Sequence, residues 1–383
     1  MPYYADLNPA GRLDPVWATD EAARKRAIAN LLRLRRALDP TRPAAELQEA
    51  GVPPARDLRS LLLGTWNIRE LDSATWGARL PETYAYIAEI IDRFDLVAVQ
   101  EVRSDLEALE RLCRRLGRHW SYIVSDTTAG KAGNEERLAF LYDTRKVRFL
   151  GMAGELVLPP LKRGRKTIPA RQVARTPLMA AFQVGWTKFV LTTVHILYGE
   201  KTAEPIARID EIRQVAEFLK ERSEDPAEPI HNFIVLGDFN IFAEGDKTMK
   251  ALTEAGDFTI PEQMKTIRGA NLTGERKYDQ IAYRSREGRF EATGAAGVFD
   301  YYEHVFTPGE ADVYRPYIDD YIAERRRAGK KSPKKPTTEK AKLSQYKTWR
   351  TYQMSDHLPL WAEFRIDFSD QYLAEIAKAK RPR

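Results

Sequence analysis

The sequence predicts a four-layer α/β sandwich, with two mostly antiparallel sheets packed face to face and helices outside. Three observations carry this. From residue 59 onward, short β-type runs are separated by helical segments. Runs 137–152 and 178–195 read as hairpins, and the helices fall into two groups, each following a strand pair or a single strand. Such a mixture packs best as sheet on sheet with outer helices. Candidate strands are 60–67, 95–101, 120–125, 137–143, 147–152, 178–184, 187–195, 232–238, 279–284 and 359–366. Candidate helices are 80–93, 103–116, 204–222 and 245–255.

Three regions surround this body, which spans 59–367. Residues 18–38 have helical spacing, with Asp20 as N-cap and Asp39-Pro40 as the stop. Residues 39–58 read as a second short helix plus linker, so 1–58 forms an N-terminal extension. Residues 301–354 are a long insertion between the last two core strands, and insertions of that length are functional or disordered. Residues 368–383 read as a C-terminal helix with a basic tail, and 159–175 as a basic, proline-containing loop.

Composition narrows the class. Apolar content of 43% with 30% charged residues fits a globular chain rather than a disordered one. No apolar run approaches the roughly 20 residues that span a bilayer. The first residues lack the basic-then-apolar pattern of a secretory leader. Cys113 is the sole cysteine, which precludes an internal disulfide. Together these predict a reducing, cytoplasmic setting without a membrane partner.

The net charge of +6 is unevenly placed. Residues 324–350 alone carry +9, which leaves −3 for the rest of the chain. A mildly acidic body with one strongly basic segment suits a polyanionic partner. The plainer alternative is a solvated loop whose lysines aid solubility. Aromatics flank this segment, FDYYEHVF before it and Tyr346 and Trp349 within it. Aromatics beside cations suit base stacking with phosphate contact; the alternative is a core-covering helix with a disordered loop.

The chemistry-bearing residues sit at strand ends. Asn67 and Glu101 close apolar runs, and so do His195 and the pair Asp238 and Asn240. Glu136 and Asp279 open others, and Asp356 and His357 precede the last strand. In a strand, residues two apart share a face, so Asp238 and Asn240 should project together. A single polar strand end means little, and Asp238 could merely cap the following helix. The recurrence in one chain points instead to a site. Glu101, Asp356 and Asn67 are hard oxygen ligands of the kind Mg²⁺ or Mn²⁺ takes. No cysteine cluster or HExxH suggests zinc. Each of the two histidines has a carboxylate available to fix its tautomer. That set supports phosphodiester hydrolysis.

The motifs TWNIR (65–69), QEVR (100–103), ERLAFLY (136–142), ARTP (174–177), TTVH (192–195), GDFN (237–240), YDQI (278–281) and SDH (355–357) stand in this order. On these residues the chain resembles the endonuclease/exonuclease/phosphatase superfamily, and within it the deoxyribonuclease I branch. The resemblance implies a catalytic body at 59–367 and a set of roles. Glu101, with Asn67 and Asp356, would hold Mg²⁺ or Mn²⁺, with Ca²⁺ a further candidate. His195 and His357 would flank the scissile phosphate, oriented by Glu136 and Asp279. Asp238 and Asn240 would position the attacking water and bind the phosphate. Arg69 and Arg175 would contact phosphates, and Arg103 would reach into a minor groove. The implied substrate is nucleic acid, most simply DNA cut with low sequence specificity.

The sequence departs from that pattern in places. Relatives often carry an aromatic two residues before the glutamate matched to Glu136; here it is Asn134. The insertion is extra, and it and the 1–58 extension are the segments through which a regulatory protein could dock. Rival readings are a phosphatase or phosphodiesterase acting on a phosphoinositide, lipid or nucleotide, and an inert nucleic-acid-binding scaffold. Against the first, Glu275, Arg276 and Lys277 stand where inositol phosphatases carry Pro-Ser-Trp. Against the second, no expected metal carboxylate or histidine is lost.

Overall fold

The computed structural model describes residues 1–11, 14–71, 73–128, 134–164, 166–285 and 290–378, with 161–163 as backbone alone. Helices α1 (Pro15–Thr19), α2 (Glu21–Ala37) and α3 (Ala44–Glu49) build the N-terminal extension. Next come β1 (Ser60–Leu71), α4 (Pro81–Ile91), β2 (Leu96–Arg103), α5 (Glu107–Leu116), β3 (Trp120–Val124), β4 (Glu136–Asp143) and β5 (Val147–Glu155). A small hairpin of β6 (Leu161–Arg163) and β7 (Lys166–Ile168) leads to β8 (Leu178–Val184), β9 (Thr187–His195), α6 (Ile206–Glu224) and β10 (Asn232–Asp238). Then follow α7 (Lys247–Lys250), α8 (Glu262–Thr266), β11 (Asp279–Ser285), β12 (Glu291–Val298), α9 (Arg315–Arg327), α10 (Glu339–Gln353), β13 (Leu360–Arg365) and α11 (Ser369–Lys378).

One sheet runs β12-β13-β1-β2-β4-β3 and the other β11-β10-β9-β8-β5. Only β1–β2 and β9–β10 pair in parallel; the other pairs are antiparallel. The central strands face each other across the sandwich, so both of their faces are buried. That explains their near-continuous apolar runs, LLLGTW in β1 and FIVLG in β10. Trp66 and Phe239, expected in the core, are both buried. Among the described residues no helix is long and apolar enough to cross a membrane.

The extension is tied to the body by buried polar contacts. Arg26 forks onto Glu82 with bonds of 3.1 and 3.2 Å, and Arg35 meets Glu89 at 2.7 Å. Trp17 is buried. Asp20 caps α2 as expected, accepting from Ala23 N at 2.8 Å.

The structure corrects three expectations. The 159–175 loop holds the β6–β7 hairpin. Residues 291–298, unassigned from sequence, form the edge strand β12 on β13. Their alanines and glycines have weak strand preference, so the partner strand decides. Tyr346 and Trp349 are 1% exposed and pack on Tyr314 and Phe306. Rings that seal α10 to the body have no free face for a base, so the stacking expected of these two does not hold. The predicted C-terminal helix is α11; the last part of the expected basic tail, 379–383, lies outside the described residues.

Candidate active site

The topology gathers the site. Two parallel pairs put the C-terminal ends of β1, β2, β9 and β10 on one rim. Their antiparallel neighbours β4 and β11 then contribute their N-terminal residues to the same rim. In register, Arg103 faces Glu136, Asp238 faces His195, and Asp238 faces Asp279. Residues scattered over the chain therefore meet because of strand direction alone.

Two backbone features sharpen the convergence. Gly237 has φ +132, and a Cβ there would sit 2.1 Å from Val194 O. Only glycine lets β10 approach β9 this closely, which brings Asp238 alongside His195. Register irregularities fall together in β1 and β2, between Asn67 and Leu71 and between Val99 and Val102. Glu101 has φ +61 within that irregularity, a conformation few side-chain-bearing residues adopt. The distortion re-aims a side chain, a common use of bulges beside active sites. Gln100 is buried and donates to Thr193 Oγ1 at 2.9 Å, while Glu101 bonds at the rim.

Around His195, Glu136 is the organising charge. Its Oε2 lies 3.0 Å from His195 Nδ1 and 2.8 Å from Arg175 Nε, ion-pair contacts without hydrogen-bond alignment. Its Oε1 accepts from Asn134 Nδ2 at 2.5 Å. Thus Asn134 braces the carboxylate. Burial alone would raise the Glu136 pKa, but His195, Arg175 and Asn134 outweigh it and hold it at about 2. For His195, burial pushes the pKa down and Arg175 adds to that; Glu136, Asp238 and Glu101 together outweigh them, and the net shift is upward.

Across the cleft, His357 Nδ1 meets Asp279 Oδ2 at 2.7 Å. The ring also stacks on Tyr278, centroids 5.8 Å apart. Burial would lower the His357 pKa; Asp279 and Asp238 override it and hold it well above the ordinary value. Burial pushes Asp279 up to about 6 against the pull of His357. The two imidazoles converge on one atom. His195 Nε2 and His357 Nε2 lie 3.7 and 3.8 Å from Asp238 Oδ2.

Asn240, at φ +54, turns the chain here. Its backbone N–H donates to Asp238 Oδ1 at 2.9 Å and its Nδ2 to Ile196 O at 2.8 Å, which ties the ends of β9 and β10 together. The buried Arg208 donates to Asn240 O at 2.9 Å and to carbonyls of the loop after His195.

Asn67 Nδ2 donates to Glu101 Oε1 at 2.9 Å and to Asp238 Oδ2 at 3.1 Å. A flipped amide would face oxygen to two carboxylates, so this orientation is set. Its Oδ1 is then left buried with no hydrogen-bond partner. Glu101 Oε2 accepts from Glu70 N at 2.8 Å. Glu101, Glu136 and His195 bring ligand atoms within 4.8 Å of one another, a group that could hold a metal ion. A hard orphan oxygen beside two carboxylates fits a divalent cation. Asp356, the third expected ligand, contacts Arg69 Nη1 at 3.2 Å.

The arginines divide by setting. Arg69 is half-buried, lies 3.9 Å over the Tyr352 ring and bonds Thr351 and Tyr352. Arg175 is mostly buried, and its Nε and Nη1 lack hydrogen-bond partners. Arg103 donates to Asn134 O at 3.2 Å, near the rim.

Two supporting residues escaped the sequence reading. Ser355 Oγ accepts from Arg69 N (3.1 Å) and His357 N (3.0 Å) and donates to Asn67 O (2.6 Å). Tyr301 OH contacts the carbonyls of Ser355 and His357 at 3.0 and 2.9 Å. The first residue of the insertion thus supports the loop that carries His357. Ser355 was in view within the SDH triplet, but nothing local marks a serine as a bridge between three elements.

The family model of the Endonuclease/Exonuclease/phosphatase family matches residues 64–308. A "Deoxyribonuclease" of Thioalkalivibrio sp. (strain K90mix) is 30% identical over 209 residues, 52% of this chain and 52% of that protein. The chain thus aligns with about half the length of this curated relative. Among solved structures, an endonuclease/exonuclease/phosphatase family protein from Bacteroides thetaiotaomicron superposes with TM-score 0.51 at 17% identity, covering 81% of this chain and 99% of that one. D. rerio TDP2 complexed with single strand DNA product gives TM-score 0.51 at 13% identity, covering 80% and 99%. These two likenesses concern the fold. With the matched segment running from inside β1 to just beyond β12, the chain belongs to the Endonuclease/Exonuclease/phosphatase family.

Proposed function

We propose that this chain is a divalent-metal-dependent phosphodiesterase, and more specifically a DNA endonuclease of low sequence specificity in the deoxyribonuclease I branch. The observation that carries the reading is the convergence of His195 Nε2 and His357 Nε2 on Asp238 Oδ2, with each ring held from behind by Glu136 or Asp279. Two imidazoles with raised pKa present N–H donors to a phosphate seated between them. Asp238 orients the attacking water, and His357 protonates the departing oxygen. Arg175, ion-paired to Glu136 through Nε and with a buried Nη1 that has no hydrogen-bond partner among the described residues, supports an anion-binding role. Glu101 and the orphan Oδ1 of Asn67 would hold Mg²⁺ or Mn²⁺. When bound, such an ion neutralises phosphate charge and polarises the reacting phosphorus. The deoxyribonuclease relative supports DNA as substrate.

The test is plasmid nicking by pure protein with Mg²⁺, with Mn²⁺ and with chelator. Nicking should need the ion and fall by about 10²- to 10⁴-fold in His195→Ala and His357→Ala. No nicking under any divalent ion, with phosphate released from a monoester instead, transfers the site to a phosphatase.

A further inference from the structure

An aromatic pair involving the loop after β1 has no part in the chemistry above. Trp76 and Tyr321 stack with centroids 5.7 Å apart and 28° between planes. Both residues are partly exposed while packing against the core. Arg325 lies 5.9 Å from the Tyr321 centroid and is held there by bonds of 2.9 and 2.8 Å to Lys331 O. Trp76 has φ +65, a costly conformation for a bulky residue.

The pair is connected to the reacting centre. Asp356 contacts Arg69, whose guanidinium covers Tyr352. The loop from 73 to 80 follows β1 directly; Thr75 Oγ1 donates to Glu70 Oε2 at 2.9 Å, and Gln353 Nε2 donates to Ala78 O at 3.2 Å. Helix α9 starts beside the middle of α10, with Tyr314 5.4 Å from Trp349, and reaches this loop at Tyr321. Beyond Tyr321 come Arg326, Arg327, Lys330, Lys331, Lys334 and Lys335, all exposed. Among the described residues none of the six pairs with a carboxylate.

Resting on the phosphodiesterase reading, we propose that Trp76, Tyr321 and Arg325 form a base-stacking platform for a single-stranded nucleic acid. Arg69 leads its backbone from the reacting phosphate, and the Lys330–Lys335 segment continues the track. Aromatic faces accept any base, and a cation beside them strengthens the stack. Lysines without acidic partners supply a salt-sensitive grip on phosphates. An acidic protein would be drawn to the same charge, but it would not need a ring platform continuous with a phosphate site.

The experiment is fluorescence anisotropy with a labelled single strand of roughly 15 nucleotides, in chelator so that no turnover occurs. Trp76→Ala and Tyr321→Ala should each weaken binding about tenfold or more, and Trp76→Phe should bind like the wild type. Melting curves confirm that each variant is folded, and Lys330→Glu with Lys331→Glu should flatten the salt dependence. Unchanged affinity in Trp76→Ala and Tyr321→Ala overturns the platform, as does a loss matched for poly-glutamate. Binding and cleavage fail separately. A protein that cuts DNA but ignores Trp76 sinks the platform alone, whereas one that binds through Trp76 and hydrolyses no diester sinks the phosphodiesterase reading alone.

Discussion

His357 Nδ1 lies 2.7 Å from Oδ2 of the buried Asp279, so the ring's Nε2 is the nitrogen left to face the cleft. Burial disfavours the imidazolium, and the neighbouring carboxylate reverses that. Asp279→Asn keeps an acceptor for Nδ1–H and removes the charge. The His357 pKa should then fall, so the protonated form is lost at a lower pH. The expected outcome is a loss of about 10- to 100-fold in rate, with the alkaline limb of the pH–rate profile moved to lower pH. An alkaline limb left in place would show that His357 does not act as the acid.

Glu136 sets an acid limit on stability. Its folded pKa of about 2 lies below the ordinary 4.5, because His195, Arg175 and Asn134 outweigh burial. A depressed carboxylate contributes stability above the unfolded value and loses it as pH falls through the folded one. The window is therefore from about 4.5 down to about 2. Thermal melts over that range should show Glu136→Gln less stable than wild type near neutrality and converging with it in acid. A constant gap at every pH would count against the assignment.

Ser355 joins three elements through one hydroxyl. Ser355→Ala leaves Arg69 N–H and His357 N–H without their acceptor in a buried place. A cost of about 1–3 kcal/mol is expected, read as a lower urea midpoint at unchanged slope. Activity should drop further than stability alone explains, because the same hydroxyl sets the positions of Asn67 and His357. Full activity in a folded Ser355→Ala protein would reject the bridging role.

These residues show what was legible. The strands that carry the site are apolar runs ending in a polar residue, a pattern that strand geometry and burial impose directly, so β9 and β10 could be read to their last residues, whereas β1 and β2 run on past Asn67 and Glu101 to Leu71 and Arg103. Strand β12 could not, because Ala and Gly carry no β signal and pairing with β13 alone orders it. The companion of each histidine followed from the family resemblance, residue type alone offering only that some carboxylate was available. The partner of Asp356 was not legible, since the Arg69 contact depends on where α10 delivers the loop. Tyr346 and Trp349 stayed open between base stacking and a core-covering helix for a related reason: aromatic rings among lysines read alike whether they face solvent or core, and only the helix phase decides, here for the core.

That phase has a measurable consequence. Trp349 packs within 6.0 Å centroid distance of Tyr346 and close to Phe306 and Tyr314, fully inside. Trp349→Ala should cost about 3–5 kcal/mol by denaturant titration. The part still folded should bind single strands as the wild type does. Selective loss of binding at full stability would return this ring to the surface.

Metal binding can be tested without turnover. An ion that binds only the folded state stabilises it, by about 2.7 kcal/mol at a concentration one hundred times Kd. Glu101 Oε1 and the orphan Oδ1 of Asn67 are the oxygens proposed to hold it. Mg²⁺ or Mn²⁺ should therefore raise the melting midpoint of the wild type in a dose-dependent way. Glu101→Gln keeps the shape and an acceptor for the Glu70 N–H but loses the charge, and its midpoint should barely respond. Asp356→Asn, whose carboxylate is engaged by Arg69, discriminates the ligand sets: a full ion response there excludes Asp356 as a ligand, and a lost response assigns it to the site. If Glu101→Gln melts with the same ion-induced rise as the wild type, the cation sits elsewhere.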